Sequence, residues 1–183
     1  MIGARCPVLG FAAWSGTGKT TLLVRLLPRL RARGLRIGMV KHAHHSFEID
    51  QPGKDSFELR KAGASPLLLA SSRRWVLMND LEQEREPVLQ EMVQRLDLSQ
   101  LDAILVEGFK HEAFPKIELH RPAVGRPLLF PDDPDIIAVA TDAPLAVPTD
   151  LPVLDLNDAD AIADFVAGFC GQPNDRGADD GPA

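Results

Sequence analysis

The residues best suited to chemistry gather first between Ala13 and Thr21, in the order Ala13-Trp14-Ser15-Gly16-Thr17-Gly18-Lys19-Thr20-Thr21. Gly16 and Gly18 can take backbone angles that side chains forbid, so the chain can curl with several N–H groups turned toward one anion. Lys19 supplies a full positive charge for outer phosphates. The Thr20 hydroxyl is suited to ligate Mg2+, and Thr21 to touch an inner phosphate. A helix starting near Gly18 adds its partial positive end. The pattern is that of a phosphate-binding P-loop, with Trp14, Ser15 and Thr17 as its variable positions. Ala13 stands where the pattern usually begins with Gly, a tolerated change because the residue is small.

The elements needed to position such a loop flank it. Pro7–Ala12, apolar nearly throughout, reads as a strand buried on both faces. A helix is expected from Lys19 to Arg33, with Leu22, Leu23, Leu26, Leu27 and Leu30 inward and Arg25, Arg29, Arg31 and Arg33 as a solvated face. Gly34 is its expected C-cap. A second strand, Leu35–Val40, ends in Lys41-His42-Ala43-His44-His45. In open parallel sheets ligands sit beyond the carboxyl ends of strands, so this segment belongs near a bound nucleotide. His42, His44 and His45 read as a polar loop facing phosphate or a partner, with a metal site as the alternative.

Further candidates follow along the chain. Asp55 and Glu58 make a capping-box-like start for a helix running to about Ala62, and Asp50 or Asp55 is either a local cap or a group that reaches Mg2+. Pro66–Ala70 and Trp75–Met78 read as a peripheral β ribbon whose turn carries Arg73 and Arg74, as surface charge or as phosphate contacts. A helix is expected over Glu84–Leu96. Leu101–Val106 is a second apolar strand, and it ends in Glu107, the place of an acidic group that holds Mg2+ through water or orients an attacking water. Lys110 and His111 share that rim. Lys116–His120 alternates polar and apolar residues and reads as an edge strand. A proline-rich loop, 121–134, leads to a buried strand, Asp135–Ala140. Asp142 just beyond is either an ordinary turn residue or the carboxylate that accepts both the N1–H and the 2-amino group of guanine. Val153–Leu156 is the last strand, and Asn157 is expected to cap a final helix to about Phe169.

Composition narrows the classes. With 183 residues, 45% of them apolar, the chain suits one α/β domain over residues 1–171, followed by a Gly, Pro and Asp tail, 172–183, expected to be disordered. A net charge of −6 argues against a general nucleic-acid surface, so the anion site is local. Cys6 and Cys170 stand far apart in no metal spacing, and neither a signal peptide nor a membrane-spanning run is expected, which suits a cytoplasmic protein.

Taken together and in order, several blocks resemble the MobB family, the molybdopterin-guanine dinucleotide biosynthesis adapter proteins. They are Ala12–Thr21, Val40-Lys41-His42 with His44-His45, Pro52-Gly53-Lys54-Asp55-Ser56, Glu58–Ala64, Leu105–Lys110 and Ile137–Asp142. The resemblance spans about residues 5–170. It implies a P-loop NTPase fold, mostly parallel sheet flanked by helices, that binds GTP with Mg2+, is usually a homodimer and hydrolyses GTP weakly. It also implies partnership with the guanylyltransferase MobA and with molybdenum-insertion proteins. On that basis GTP phosphates are expected on Ser15–Thr20, Mg2+ at Thr20 and Glu107 with Asp55 as a further candidate, and guanine at Asp142. Two alternatives share the fold: a small-molecule kinase with Arg73-Arg74 as a lid, and a metallochaperone GTPase using the histidine loop.

Overall fold

The computed structural model describes residues 6–43 and 47–171. His44 and His45 of the expected histidine loop, and the expected tail 172–183, lie outside the described residues. The chain divides into two compact units, one made of residues 1–42 and 88–183 and the other of residues 43–87.

The first unit is built on a six-stranded parallel sheet. Its strands are β1 (Val8–Ala13), β2 (Ile37–Lys41), β5 (Ala103–Glu107), β6 (Lys116–His120), β7 (Ile136–Thr141) and β8 (Val153–Asp155), in the order β2-β5-β1-β6-β7-β8. The chain leaves β1 toward one side of the sheet and leaves β5 toward the other. The carboxyl end of β1 therefore sits where strand order reverses, the place at which such sheets bind ligands.

Alternation along the strands serves two cores. Leu9, Phe11, Leu105, Ile117, Leu119 and Ala138 face the helices α1 (Lys19–Ala32) and α4 (Ala159–Gly171). Val8, Ile104, Val106, Phe109 and Phe114 face the other way, with Leu89 and Val93 of the short helix α3 (Leu89–Val93). Leu26 and Leu30 of α1 and Ile162, Ala163 and Val166 of α4 are fully buried, so each helix presents one apolar stripe to the sheet. The end of α1 is a Schellman arrangement. Gly34, at φ 83°, donates to the Arg31 carbonyl, and Leu35 donates to that of Leu30.

The arginines of α1 do more than meet solvent. Arg25, Arg29 and Arg33, one turn apart, bond the Asn157 carbonyl, Asp160 and Asp164 and so tie α1 to α4. The cap of α4 is Asp158, whose Oδ1 accepts from the N–H groups of Asp160 and Ala161; Asn157 instead donates its own N–H to Asp155. The expected helix over Glu84–Leu96 is confined to α3. Pro87 biases the residue before it away from helical angles, and Val88 is extended at φ −93°, ψ 125°.

The largest difference from expectation is β6. Lys116–His120 is not an edge strand; it lies between β1 and β7, and all five residues are buried. Its polar side chains have partners from a distant loop. Lys116 Nζ lies 3.0 Å from Asp133 and donates to the Glu112 carbonyl. Glu118 accepts from the N–H groups of Leu129 and Phe130, at 2.8 and 2.9 Å. A buried charge is tolerable only when bonded in this way.

The second unit contains a two-stranded antiparallel sheet, β3 (Leu67–Ala70) with β4 (Trp75–Met78), and the helix α2 (Asp55–Lys61). Lys54, not Asp55, occupies the N-cap of α2 and makes no side-chain cap bond. Asp55 is the first helical residue. It joins Glu58 in the first turn, where both carboxylates suit the positive helix end. Arg60 holds the unit together through Glu48 at 2.6 Å and Asp80 at 3.2 Å.

Candidate phosphate-binding site

The Ala13–Thr20 loop joins the carboxyl end of β1 to the first turn of α1, as the residues dictate. Gly16 and Gly18 stand at φ 85° and 96°, in the left-handed region that a side chain resists. A Cβ built on either would meet no atom within 4 Å, so their left-handed angles and not crowding are what call for glycine. Among the described residues, the N–H groups of Gly16, Gly18, Lys19 and Thr20 donate to no backbone carbonyl. They form the row of uncommitted donors that an anion requires. Thr17 is buried and fixes the bend: its hydroxyl and its N–H both donate to the Trp14 carbonyl. Ser15, Thr20 and Thr21 are exposed on the loop and the first turn.

Glu107 ends β5, the neighbour of β1. Its Oε1 lies 4.0 Å from Lys19 Nζ, and its Oε2 lies 3.3 Å from Nζ of Lys41, its register partner on β2. The Glu107 side chain is only 12% exposed. Burial lowers the pKa of Lys19; Glu107 opposes that, and the charges of Lys41 and Lys110 add to it. Two lysines therefore flank one carboxylate, and the charge of Lys110 reaches Lys19 as well. A chain of net charge −6 thus carries a locally positive pocket mouth, and a bound polyanion would relieve it. The donor set fits a phosphate chain, and the Thr20 hydroxyl and the Glu107 carboxylate are hard oxygen groups of the kind that Mg2+ takes.

Three residues that local sequence assigns to no site, Arg121, Arg126 and Pro127, complete the surroundings. Arg121, just past β6, donates from Nε to the Thr17 carbonyl at 3.4 Å and pairs with Asp142, just past β7. Trp14 donates its indole N–H to the Pro127 carbonyl at 2.8 Å. The cationic ends of Lys110 and Arg126 lie 5.3 and 5.5 Å from the Trp14 ring centroid. Local sequence carries no signal for Arg121, Arg126 and Pro127, because each acts on a residue more than a hundred positions away.

The candidates are divided between the two units. Trp14 through Thr21, Glu107 and Asp142 belong to the first unit, whereas Asp50, Asp55, Arg73 and Arg74 belong to the second. Arg73 and Arg74 lie in an exposed turn where both N–H groups donate to Ser71 Oγ. His42 follows β2; its N–H donates to the Glu107 carbonyl and its ring packs 5.0 Å from that of Phe109. Among the described residues no three His, Cys, Asp or Glu side chains gather as metal ligands, and no helix is long and apolar enough to cross a membrane.

A glycine loop at the switch point of a parallel sheet, with its lysine facing an acidic strand end, defines a P-loop α/β protein. The family model for "Molybdopterin guanine dinucleotide synthesis protein B", MobB, matches residues 8–142. The chain belongs to the MobB family. It is 53% identical over 169 residues to the molybdopterin-guanine dinucleotide biosynthesis adapter protein of Escherichia coli K12, covering 92% of this chain and 95% of that one. It is 44% identical over 161 residues to the protein of the same name from Haemophilus influenzae, covering 87% of each. A crystal structure of molybdopterin-guanine biosynthesis protein B superposes with a TM-score of 0.69 at 26% identity, covering 90% of this chain and 99% of that one. A MobB homolog from Bacillus stearothermophilus shares the fold, with a TM-score of 0.65 at 24% identity over 89% of this chain and 97% of that one.

Proposed function

We propose that this chain is a GTP-binding adapter in the assembly of molybdopterin guanine dinucleotide. The observation that carries the nucleotide part is the loop itself: open glycines, uncommitted N–H donors and a crowded lysine at the carboxyl end of the central strand. The pathway part rests on the adapter names borne by relatives that the chain matches over nearly its whole length. On this reading the loop from Ser15 to Thr20 holds the phosphates through the N–H groups of Gly16, Gly18, Lys19 and Thr20, and the Lys19 amine meets the outer ones. Thr20 and Glu107 hold Mg2+, which neutralises phosphate charge when bound. Asp142 reads guanine. Hydrolysis by the chain alone is slow. The partners are the guanylyltransferase MobA and molybdenum-insertion proteins, met by a homodimer in the cytoplasm.

The adapter part is tested by sedimentation of the full chain mixed with MobA, with and without Mg-GTP. A co-sedimenting complex is expected, stronger with nucleotide. Two independent species under both conditions would overturn the assignment.

A further inference from the structure

The loop carries an aromatic residue that an anion site does not need, and two cations rest on it. Trp14 is the second residue of the loop, its ring fixed by the bond to the Pro127 carbonyl. Lys110 and Arg126 are exposed, and both place their charge over that ring. Among the described residues neither lies within 4.0 Å of a carboxylate, whereas Arg25, Arg29, Arg33, Arg36 and Arg121 all have acidic or carbonyl partners.

The backbone brings Lys110 there deliberately. Gly108 and Phe109 are consecutive left-handed residues, at φ 94° and 52°, and Phe109 is the one non-glycine residue with positive φ among those described. Such strain persists only where surrounding structure enforces it. Phe109 is buried at 7% exposure and packs on His42, so the turn is anchored and Lys110 is directed back over the loop. Its charge is felt at Lys19.

We propose that Lys110 and Arg126 grip the terminal phosphate of a nucleoside triphosphate held by the loop, with Trp14 as the platform on which they wait. The inference rests on the nucleotide reading given above and adds a determinant of triphosphate over diphosphate preference. A cation over a half-buried ring at the surface is held weakly, and a charge-assisted bond to a phosphate oxygen is stronger, so an arriving terminal phosphate draws both groups off the indole. Arg126 can bond two oxygens at once through its planar fork, whereas Lys110 acts as a point charge.

The test is calorimetric titration of Mg-GTP and Mg-GDP into the full chain and into Lys110→Ala, Arg126→Ala, the double variant and Arg126→Lys. Both positions are exposed, and circular dichroism checks that each variant is folded. The double variant is expected to lose about 30- to 100-fold in GTP affinity and no more than about threefold in GDP affinity, with Arg126→Lys intermediate. Trp14 emission, assigned by difference from Trp14→Phe because Trp75 also emits, is expected to shift with GTP and not with GDP. Equal losses for the two nucleotides, or no loss for either, would overturn the inference while leaving the nucleotide reading intact. A wild-type chain that binds neither nucleotide would remove both.

Discussion

Arg121 pairs with Asp142 across the carboxyl ends of β6 and β7, and the same guanidinium donates to the Thr17 carbonyl inside the glycine loop. One side chain thus links the proposed guanine reader to the phosphate loop. Asp142→Ala is expected to lower GTP affinity by about 10- to 100-fold, the loss of charged hydrogen bonds to the base, with ATP affinity unchanged. Arg121→Ala is expected to lower both nucleotides together, since it frees the loop. Calorimetry with GTP and ATP checks this. Equal GTP and ATP losses in Asp142→Ala would reduce Asp142 to a structural partner of Arg121.

Two glycines separate function from folding. Gly18→Ala has room for its Cβ, so the strain of φ 96° costs only about 1–2 kcal/mol, but a loop relaxing from that angle turns its N–H groups away from the anion, and nucleotide binding is expected to be lost. Gly108→Ala meets His42 Cβ at 2.6 Å and is strained at φ 94° as well. It is expected to cost more stability than Gly18→Ala and to displace Lys110. Urea midpoints and GTP titration on the same two variants read both effects. A Gly108→Ala chain as stable as wild type would contradict the packing described.

Much of this was legible locally. The loop is a contiguous motif, and the two apolar strands that end at Ala13 and Glu107 announced themselves by composition. What failed was non-local. Lys-Ile-Glu-Leu-His reads as an edge because nothing nearby shows that Asp133 and the N–H groups of Leu129 and Phe130 return to satisfy Lys116 and Glu118. Arg121 looked like loop because the Thr17 carbonyl lies 104 residues away. The expected helix before β5 begins only at Leu89, because Pro87 biases the residue before it away from helical angles and Val88 is extended.

Lys19 is expected to limit stability while enabling binding. Its folded pKa lies below the ordinary 10.5, because burial disfavours the charged amine. The folding penalty is therefore full below the folded pKa and fades as pH rises toward 10.5. Lys19→Met is expected to raise stability near neutral pH by less than about 1 kcal/mol, a gain that vanishes at about pH 11, and to abolish GTP binding. Urea midpoints at the two pH values decide. A loss of stability near neutral pH would show that the Glu107 contact outweighs burial.

Glu118 anchors the loop that carries Arg126 and Pro127. Burial raises its pKa, against the two N–H bonds and His120, which lower it. The native state thus holds the proton more tightly, and this contribution to stability falls as pH rises above the ordinary 4.5. Glu118→Gln sets an amide NH2 against a backbone N–H and is expected to cost about 1–3 kcal/mol, with a smaller deficit at neutral pH than at pH near 4.5. Hydrogen exchange at Leu129 and Phe130 is expected to speed up. Unchanged protection there would mean the carboxylate does not hold the loop.

The central claim is that the Ala13–Thr21 loop binds GTP. Calorimetric titration of Mg-GTP and Mg-ATP into the full chain, with Lys19→Ala as control, tests it most directly. The account expects saturable GTP binding, much tighter than ATP, that is lost in Lys19→Ala. ATP binding as tight as GTP would contradict the guanine assignment, and GTP binding that survives Lys19→Ala would contradict the site itself.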